Sequence, residues 1–446
     1  MSGRLMNPRP GDNSPLAEYT GNISHCWRCS HCKWTISPKS NAFAHGCPSI
    51  QWGRFHSYSG GGKVITAYAL KEQEAPISEK AIESIFACTM CGACDTSCKT
   101  NNGELVEPLS VMHALRAHVV EEGKSPPQHL AMIENLRRNG NAAGHPQDDS
   151  MRWCEGLGLK NALVDRTEVL LHVGCENAFE PHLWPELRAI VALLQKAGID
   201  FGIAFNAEAS TGEDAYDLGF HAEAGRLARN MADLFAKSGA RAIVTCSANS
   251  YAGIRNIWPR LGVAMPACGV THITEYIDDL FERGLLEIDG RCEATVTYHD
   301  PCKLGRLSER YAPSKAGWTK VLNAMSIPDA PKNVIFGDGG LYEAPRKLLA
   351  RIAGPGLVEM ERNRVGAYCC GAAGGAKEAF PEFASFAAEQ RLAEAQAAGA
   401  EVVATSCGSC QRHLSETAAA SGRDVQVTGI FELLAARTAK AAEGAR

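Results

Sequence analysis

Eight of the chain's eighteen cysteines fall within the first hundred residues, in two runs of similar spacing. Three thiolates at three-residue steps on one tight loop can reach three corners of a single [4Fe–4S] cube, and a fourth must come from farther away. The pattern therefore predicts two [4Fe–4S] clusters, which accept and release single electrons. The runs are Cys26-Trp-Arg-Cys29-Ser-His-Cys32, followed by Cys47-Pro48, and Cys88-Thr-Met-Cys91-Gly-Ala-Cys94-Asp-Thr-Ser-Cys98.

The fourth ligand of each cube is expected from the other run. In two-cluster ferredoxins the trailing cysteine of each run ligates the other run's cluster. Two features depart from that pattern: fourteen residues separate Cys32 from Cys47, and Lys99 stands where a proline usually follows. The alternative is two zinc sites, but structural zinc favours C-x2-C pairs over triplets. The rule assigns one cube to Cys26, Cys29, Cys32 and Cys98, and the other to Cys47, Cys88, Cys91 and Cys94.

Five further cysteines are grouped in the last third of the chain, each group where a predicted strand ends. Ligands gather beyond the carboxyl ends of parallel strands, so these loops can bring the five sulfurs to one point. Four thiolates suit zinc, whereas five suit an iron–sulfur assembly better. An adjacent cysteine pair alone is more often two buried, inert thiols. That interpretation leaves the C-x2-C unexplained, so we predict a metal site. The cysteines are Cys302, Cys369-Cys370-Gly371 and Cys407-Gly-Ser-Cys410.

Histidine and aspartate precede the first of these cysteines. His299 and Asp300 either tune a nearby cluster and relay protons, or cap the strand end by hydrogen bonds. The residues themselves leave both interpretations open.

Composition excludes several classes of protein. The chain has 446 residues, 45% of them hydrophobic, and a net charge of −5, so it lacks the basic footprint of a nucleic-acid binder. It has no apolar run of membrane-spanning length and no apolar signal-peptide region. We expect a cytoplasmic protein that can associate with a membrane through a partner. Many cysteines in such a chain indicate metal or redox chemistry rather than disulfides.

The elements that position these cysteines change character along the chain. Residues 1–125 are predicted to form the two-cluster domain, with helices at Ser78–Phe86 and Pro108–Glu122 and a Gly-rich turn at Ser59–Gly62. Residues 126–165 are predicted to be a linker. Beyond them, short apolar runs alternate with amphipathic ones, which indicates parallel βα units in two modules, 166–291 and 292–446. Predicted strands are Glu168–Val173, Phe201–Phe205, Arg241–Thr245, Thr295–His299, Val334–Phe336 and Glu401–Thr405; predicted helices are Glu186–Lys196, Ala222–Lys237, Ile273–Arg283, Tyr342–Ile352, Glu378–Ala397 and Ser409–Ala419, with a further helical stretch from Phe431.

The two modules repeat one another. Val169-Leu-Leu-His172-Val-Gly-Cys175 matches Val296-Thr-Tyr-His299-Asp-Pro-Cys302. In the first module Ser210-Thr211-Gly212 takes the place of the Cys-Cys-Gly, and of the C-x2-C only Cys246 remains. We therefore predict that Cys175 and Cys246 are structural and that the first module binds no metal.

Together these residues resemble the cysteine-rich iron–sulfur oxidoreductases. The order is similar to that of the D subunit of heterodisulfide reductase, and to that of the iron–sulfur subunits of glycolate oxidase, anaerobic glycerol-3-phosphate dehydrogenase and class II benzoyl-CoA reductase. The resemblance implies an α+β, ferredoxin-like and helical two-cluster domain followed by two tandem α/β modules. It also implies that the five C-terminal cysteines hold a noncubane [4Fe–4S] centre, although some relatives place zinc in one module.

Three functions remain open. The first is an electron-transfer subunit that relays electrons between a flavoprotein and a quinone, a thiol or disulfide, or another reductase, as the resemblance implies. The second is a catalytic subunit that reduces a disulfide or quinone at the C-terminal site. The third is a scaffold in which that site holds structural zinc. No dinucleotide fingerprint or flavin site is evident in the sequence.

Overall fold

A computed structural model describes residues 13–102, 106–311, 318–321, 325–328 and 337–441. For residues 101–102 and the two strands 318–321 and 325–328 it describes the backbone. The predicted strand Val334–Phe336 lies outside the described residues. Across those residues the protein is a mixed α/β structure with a helical N-terminal region and two parallel sheets.

The N-terminal region is built from short helices around its own apolar core. Leu16, Ile23, Val64, Phe86 and Leu115 are among the side chains buried there. Ser78 accepts a hydrogen bond from the Ala81 amide and caps the helix that follows it, as serine does at helix starts. The helices are α1 (Thr20–Ser24), α2 (Pro48–Gly53), α3 (Gly60–Glu72), α4 (Glu79–Phe86), α5 (Ala93–Asn102), α6 (Pro108–Glu121) and α7 (Pro127–Asn139).

The Gly-rich segment is not the turn that its composition predicts. Ser59 caps the N-terminus of α3, its side chain accepting from the Gly62 amide, and Gly60 to Gly62 form the first turn of that helix. Glycine disfavours helix by about 1 kcal/mol relative to alanine, so tertiary packing overrides propensity here. The reason for glycine lies in the sulfur atoms around it, described below.

The first parallel sheet has the strand order β1-β3-β2-β4-β5. The predicted strands and helices of this module are confirmed within two residues at each end, and the two-residue strand β5 was not predicted. Strand β1 comes from the segment 126–165 and pairs with β3. The elements are β1 (Lys160–Asn161), β2 (Val169–His172), α8 (Cys175–Phe179), α9 (Trp184–Lys196), β3 (Phe201–Ile203), α10 (Glu213–Asp217), α11 (His221–Ser238), β4 (Ala242–Thr245), α12 (Ala248–Ala252), α13 (Trp258–Arg260), β5 (Thr271–His272), α14 (Ile273–Glu282) and β6 (Leu286–Ile288).

The second parallel sheet has the order β10-β7-β11-β12, which repeats β3-β2-β4-β5 of the first. Phe380 and Pro381 divide the predicted helix Glu378–Ala397 into two, because proline cannot continue a helix from its preceding turn. The elements are β7 (Val296–Tyr298), β8 (Trp318–Val321), β9 (Met325–Pro328), α15 (Glu343–Ala353), β10 (Leu357–Val358), α16 (Ala376–Ala379), α17 (Pro381–Ala397), β11 (Val402–Thr405), α18 (Gly408–Ala420), β12 (Gln426–Gly429), α19 (Ile430–Ala435) and β13 (Thr438–Lys440).

Two apolar cores each contain side chains of both sheets. One holds Leu171 and Val244 together with Val296 and Val402. The other holds Leu170 and Ile243 together with Val403, on the opposite face of the same strands. Since equivalent strands of both modules contribute to each core, the modules are packed against one another as related halves. None of the described helices is both long enough and apolar enough to cross a lipid bilayer.

Candidate metal centres

The first sulfur set lies at the protein surface. Cys26, Cys29 and Cys32 follow α1 in a short loop that ends in a 3-10 turn at His31–Lys33, and Cys29 is exposed to solvent. Arg28 and Ser30 flank Cys29 with positive φ angles, which turn the loop sharply around the three thiols.

The predicted fourth member of this set reaches the loop from α5. That helix carries Cys98 and packs against the 3-10 turn that holds Cys32. The geometry is thus compatible with a cysteine of the second run completing the first set.

The second sulfur set is buried. Cys47, the residue before α2, lines one small cavity together with Cys88, Cys91 and Cys94. Burial raises the pKa of Cys47 to about 12 and the pKa of Cys94 well above its usual value. Such thiols stay protonated until a cation takes the place of the proton, so metal binding here would release protons.

Helix α3 begins between the two sulfur sets. The Gly61 amide donates to Sγ of Cys32 over 3.1 Å. A Cβ atom at Gly60 would lie 2.7 Å from Cβ of Cys94, and one at Gly61 would lie 3.2 Å from Sγ of Cys32. The positive end of a thirteen-residue helix therefore approaches both sets as closely as a backbone can. The Ser-Gly-Gly-Gly sequence carried this signal, but helix propensity favoured a turn.

Two of the three C-terminal cysteine groups lie just after parallel strands, as predicted: Cys302 follows β7, and Cys407 follows β11 directly and precedes α18. The prediction is wrong for Cys369 and Cys370, which occupy the long loop between β10 and α16, beyond a 3-10 turn at Arg364–Gly366. Gly371 ends this pair with φ of 101°, and a Cβ atom there would lie 2.4 Å from the Ala384 carbonyl oxygen. Only glycine fits that position, which explains the third residue of the Cys-Cys-Gly triplet.

All five sulfurs of this set are buried and form a chain of contacts in the order Cys302, Cys369, Cys370, Cys410 and Cys407. Sγ of Cys370 lies 3.1 Å from Sγ of Cys410, and Cys369 is hydrogen-bonded to Cys302. Hydrogen bonds from neighbouring thiols lower the pKa of Cys370 well below its usual value, with the Cys369 contact as the first cause. The structure thus brings together the five cysteines that the sequence singled out.

Cys91 connects the second sulfur set to the C-terminal one. Its thiol is hydrogen-bonded to that of Cys369, and the two pack in one cluster with Cys302. Arg306 holds this junction, because its Nε donates to the Cys91 carbonyl over 3.1 Å and its Nη1 donates to the Ala367 carbonyl over 2.6 Å. No sequence pattern predicted this contact, since it depends on how the N-terminal region docks on the second module.

His299 lies beside the C-terminal sulfurs. One of its ring nitrogens and the sulfurs of Cys370 and Cys410 lie within 4.8 Å of one another. Nδ1 accepts a hydrogen bond from Arg391 Nε over 3.0 Å. Arginine only donates, so the neutral ring carries its proton on Nε2. Nε2 is buried, and the Cys370 thiol is the hydrogen-bond neighbour left to it. In this geometry His299 donates a hydrogen bond toward the sulfur set, which favours a tuning role over a cap of the strand end.

The first module keeps the shape of the second with only two of its five cysteines, Cys175 and Cys246. Gly212 has φ of 94°, and a Cβ atom there would lie 2.5 Å from the Ala224 carbonyl oxygen, as at Gly371. His172 takes the place of His299, but its ring lies 2.9 Å from Glu208 and 3.0 Å from Ser250. The match of Ser210-Thr211-Gly212 with the Cys-Cys-Gly triplet is therefore confirmed by geometry.

The residues present fit iron–sulfur clusters. The donor set consists of thiols in groups of four, four and five. Glycines leave space beside the first two groups, and the buried Nε2–H of His299 offers a hydrogen bond to sulfur at the third. Thiolates are the ligands of such clusters, and hydrogen bonds to their sulfurs set the reduction potential.

Comparison with known proteins agrees with this geometry. Residues 22–102 match the 4Fe–4S dicluster domain, and residues 169–254 and 336–415 match the cysteine-rich domain. The D subunit of the dihydromethanophenazine:CoB–CoM heterodisulfide reductase of Methanosarcina barkeri is 26% identical, with 93% of each chain covered. A probable membrane-anchored ferredoxin of Chromohalobacter salexigens is 30% identical, and the EtfAB:quinone oxidoreductase of Syntrophomonas wolfei is 25% identical; each match covers 79% of this chain.

The extent of these matches differs. The chain spans nearly all of the heterodisulfide reductase protein but about half of the other two relatives, 48% of each. The chain therefore belongs to the family of cysteine-rich iron–sulfur oxidoreductases that includes the D subunit of heterodisulfide reductase.

Proposed function

We propose that this protein is the electron-relaying iron–sulfur subunit of a multi-subunit oxidoreductase. It exchanges electrons with a flavoprotein partner at its N-terminal sulfur sets and with a quinone, a thiol or disulfide, or another reductase beyond its C-terminal set. The contact of Cys91 with Cys369 carries this proposal, because it links the dicluster region to the cysteine-rich site without intervening side chains.

The clusters that such a relay needs are assigned to the three sulfur sets. A [4Fe–4S] cluster supplies one-electron acceptance and release when bound. We assign a noncubane four-iron centre, rather than zinc, to the third set, because five thiols exceed the four ligands of tetrahedral zinc. The ligands are Cys26, Cys29, Cys32 and Cys98; Cys47, Cys88, Cys91 and Cys94; and Cys302, Cys369, Cys370, Cys407 and Cys410. The domain limits 1–125, 126–165, 166–291 and 292–446 belong to the same proposal.

The surrounding residues favour charge transfer over reaction with solvent. The second and third sets are buried, which excludes water from them. Buried Arg306 and Lys303 place positive charge beside thiols of both sets, and Lys303 is itself paired with Asp217. The positive charge of Arg306 lies beside Cys91 and stabilises its thiolate, which is the form of cysteine that binds metal.

Relay is favoured over turnover of a substrate at these sulfurs. A cavity of about 290 Å³ lies between the two modules, and Cys175, Asn249, Ser409 and Arg412 are among its lining residues. None of the five C-terminal cysteines lines it. A small disulfide that entered this cavity would therefore meet no sulfur of that set.

Metal analysis of protein purified without air tests the cofactor assignment. We expect about twelve irons per chain, of which about eight belong to the cubes. Eight irons with one zinc would contradict the assignment of the third set and favour a scaffold. Cys98→Ser should remove iron and change the spectrum of the cube held by the first run.

A substitution at the third set tests the relay itself. Cys370→Ser should leave both cubes reducible and stop electron flow through the complex, whereas Cys268→Ser, at an exposed thiol, should change neither. If complex turnover is unchanged in Cys370→Ser, the C-terminal set has no part in electron transfer.

A further inference from the structure

The first sulfur set lies under an unusual surface. Between Glu18 and Glu72 the sequence contains no aspartate or glutamate, in a chain whose net charge is −5. The same stretch supplies Arg28, Lys33 and Arg54, and none of these three pairs with a carboxylate among the described residues. Positive charge is thus concentrated around the loop that carries exposed Cys29.

Large apolar side chains are exposed in the same place. Trp27 is 71% exposed and Phe55 is 70% exposed, and few other large apolar residues of the described chain are so open. Burial stabilises large apolar side chains of this kind, so their exposure in the free chain has a cost. Exposed aromatic residues and arginine are the types enriched where proteins bind one another.

These residues form one surface. The 3-10 turn His31–Lys33 and the 3-10 turn His56–Tyr58 both pack against α3, which brings Lys33 near the segment that begins at Arg54. In keeping with this, the pKa of His56 is lowered first by burial and then by the charges of Lys33 and Arg28. Arg54 and Phe55 directly precede His56, and Trp27 directly precedes Arg28. We call the group of Trp27, Arg28, Lys33, Arg54 and Phe55 the basic aromatic surface.

Neutralising the charge of a bound cluster would not by itself require this arrangement. Arg28 and Arg54 are exposed, where water screens their charges from the interior. Buried cations such as Arg306 serve that purpose at the deeper sets. Two aromatic rings in solvent contribute nothing to charge neutralisation, so a second body must account for them.

We propose that the basic aromatic surface is the docking site of the flavoprotein partner, which presents an acidic face around its flavin. This proposal rests on the proposed relay function and names the point at which the partner exchanges electrons. Small, charged, partly apolar surfaces suit brief electron-transfer encounters, which bury less than about 1,200 Å². Opposite charges accelerate such encounters by about 10- to 1,000-fold at low ionic strength.

Stopped-flow reduction of the iron-loaded protein tests the proposal. The probe is purified reduced flavodoxin, an acidic one-electron flavoprotein, and the reference donor is the small cation radical of methyl viologen. We expect the second-order rate with flavodoxin to fall steeply as salt is added. Arg28→Glu/Lys33→Glu/Arg54→Glu should lower that rate at least about tenfold at low salt, while reduction by viologen continues.

A matched variant separates local from overall charge. Arg137→Glu/Arg138→Glu/Arg241→Glu changes net charge by the same amount at side chains that are more than half exposed and far from the cysteine loop in the sequence. It should leave the flavodoxin rate within about twofold of the parent. Arg54→Glu/Phe55→Ala lies outside the cysteine loop and supplies a second variant if the first triple loses iron.

The results have distinct meanings. If both triple variants slow reduction by flavodoxin equally, or if the flavodoxin rate does not depend on salt, the proposed docking site is wrong. In either case the relay function still stands as long as viologen reduces the iron-loaded protein. If neither donor reduces the iron-loaded protein, the relay function fails and the docking site with it. If a single-stranded oligonucleotide binds the parent but not the triple variant, and the flavodoxin rates are equal, the surface serves nucleic acid and the proposal is wrong.

Discussion

Gly60→Ala tests whether backbone and sulfur are as close as the structure places them. The added methyl carbon would lie 2.7 Å from Cβ of Cys94 and 3.5 Å from Cβ of Cys32, so it enters the space between the two N-terminal sulfur sets. Carbon atoms pack at about 3.5–4.0 Å, and α3 or α5 must therefore move by about 0.8 Å or more. Overpacking of this kind costs about 1–3 kcal/mol, and alanine's better helix propensity offsets up to about 1 kcal/mol.

The displaced sulfurs should bind metal less well. We expect the free energy of unfolding to fall by about 1–2 kcal/mol, and the iron content to fall by up to about four atoms per chain, the content of one cube. Iron, acid-labile sulfide and the unfolding midpoint are measured on protein purified without air.

A matched glycine provides the control. Gly21 lies in the short helix α1 of the same N-terminal region, and a Cβ atom there would meet nothing within 4 Å. Gly21→Ala should keep full iron and an unchanged or slightly higher unfolding midpoint. If Gly60→Ala retains all its iron and sulfide and the parent's midpoint, the reasoning about the approach of α3 to the sulfurs is wrong.

Two further predictions concern the C-terminal set. His299→Leu removes the buried Nε2–H donor. If that hydrogen bond is stronger by about 1 kcal/mol in the reduced state, the reduction potential of the C-terminal set alone should fall by about 40 mV in a spectroscopic redox titration. The equivalent variant of the first module, His172→Leu, should leave this potential unchanged. Arg306→Met leaves the Cys91 and Ala367 carbonyls without their donor. We expect it to lower the free energy of unfolding by about 3 kcal/mol in a denaturant titration. Arg310→Met, at an exposed position of the same loop, should change that free energy by less than about 0.5 kcal/mol.

The sequence predicted the repeated architecture because its signals are local. Parallel strands such as β2 and β11 are short apolar runs followed by helical periodicity, and the groups that begin at Cys302 and Cys407 follow strand ends. The division of the helix at Phe380 and Pro381 could also have been predicted from the proline. Two-residue strands such as β5 carry too few residues for any pattern.

What the sequence did not predict depends on contacts between distant segments. The pairing of Cys91 with Cys369 joins residues far apart in the chain, and no spacing encodes it. The role of His299 follows from one donor, Arg391, on a different element. The start of α3 at Gly60 was missed because helix propensity describes an isolated helix, whereas here sulfur atoms leave no room for a side chain.

The degenerate first module bears on whether the C-terminal metal is structural. Gly212 keeps the positive φ and the close approach to a helix carbonyl that Gly371 shows, and the strand order is the same. His172 is bonded to Glu208 and Ser250 where His299 has sulfur neighbours. The first module keeps the loop shape with two of the five cysteines, so that shape does not require a full set of five thiols. The retention of five thiols in the second module, in contact with Cys91, is therefore explained better by electron transfer than by stability.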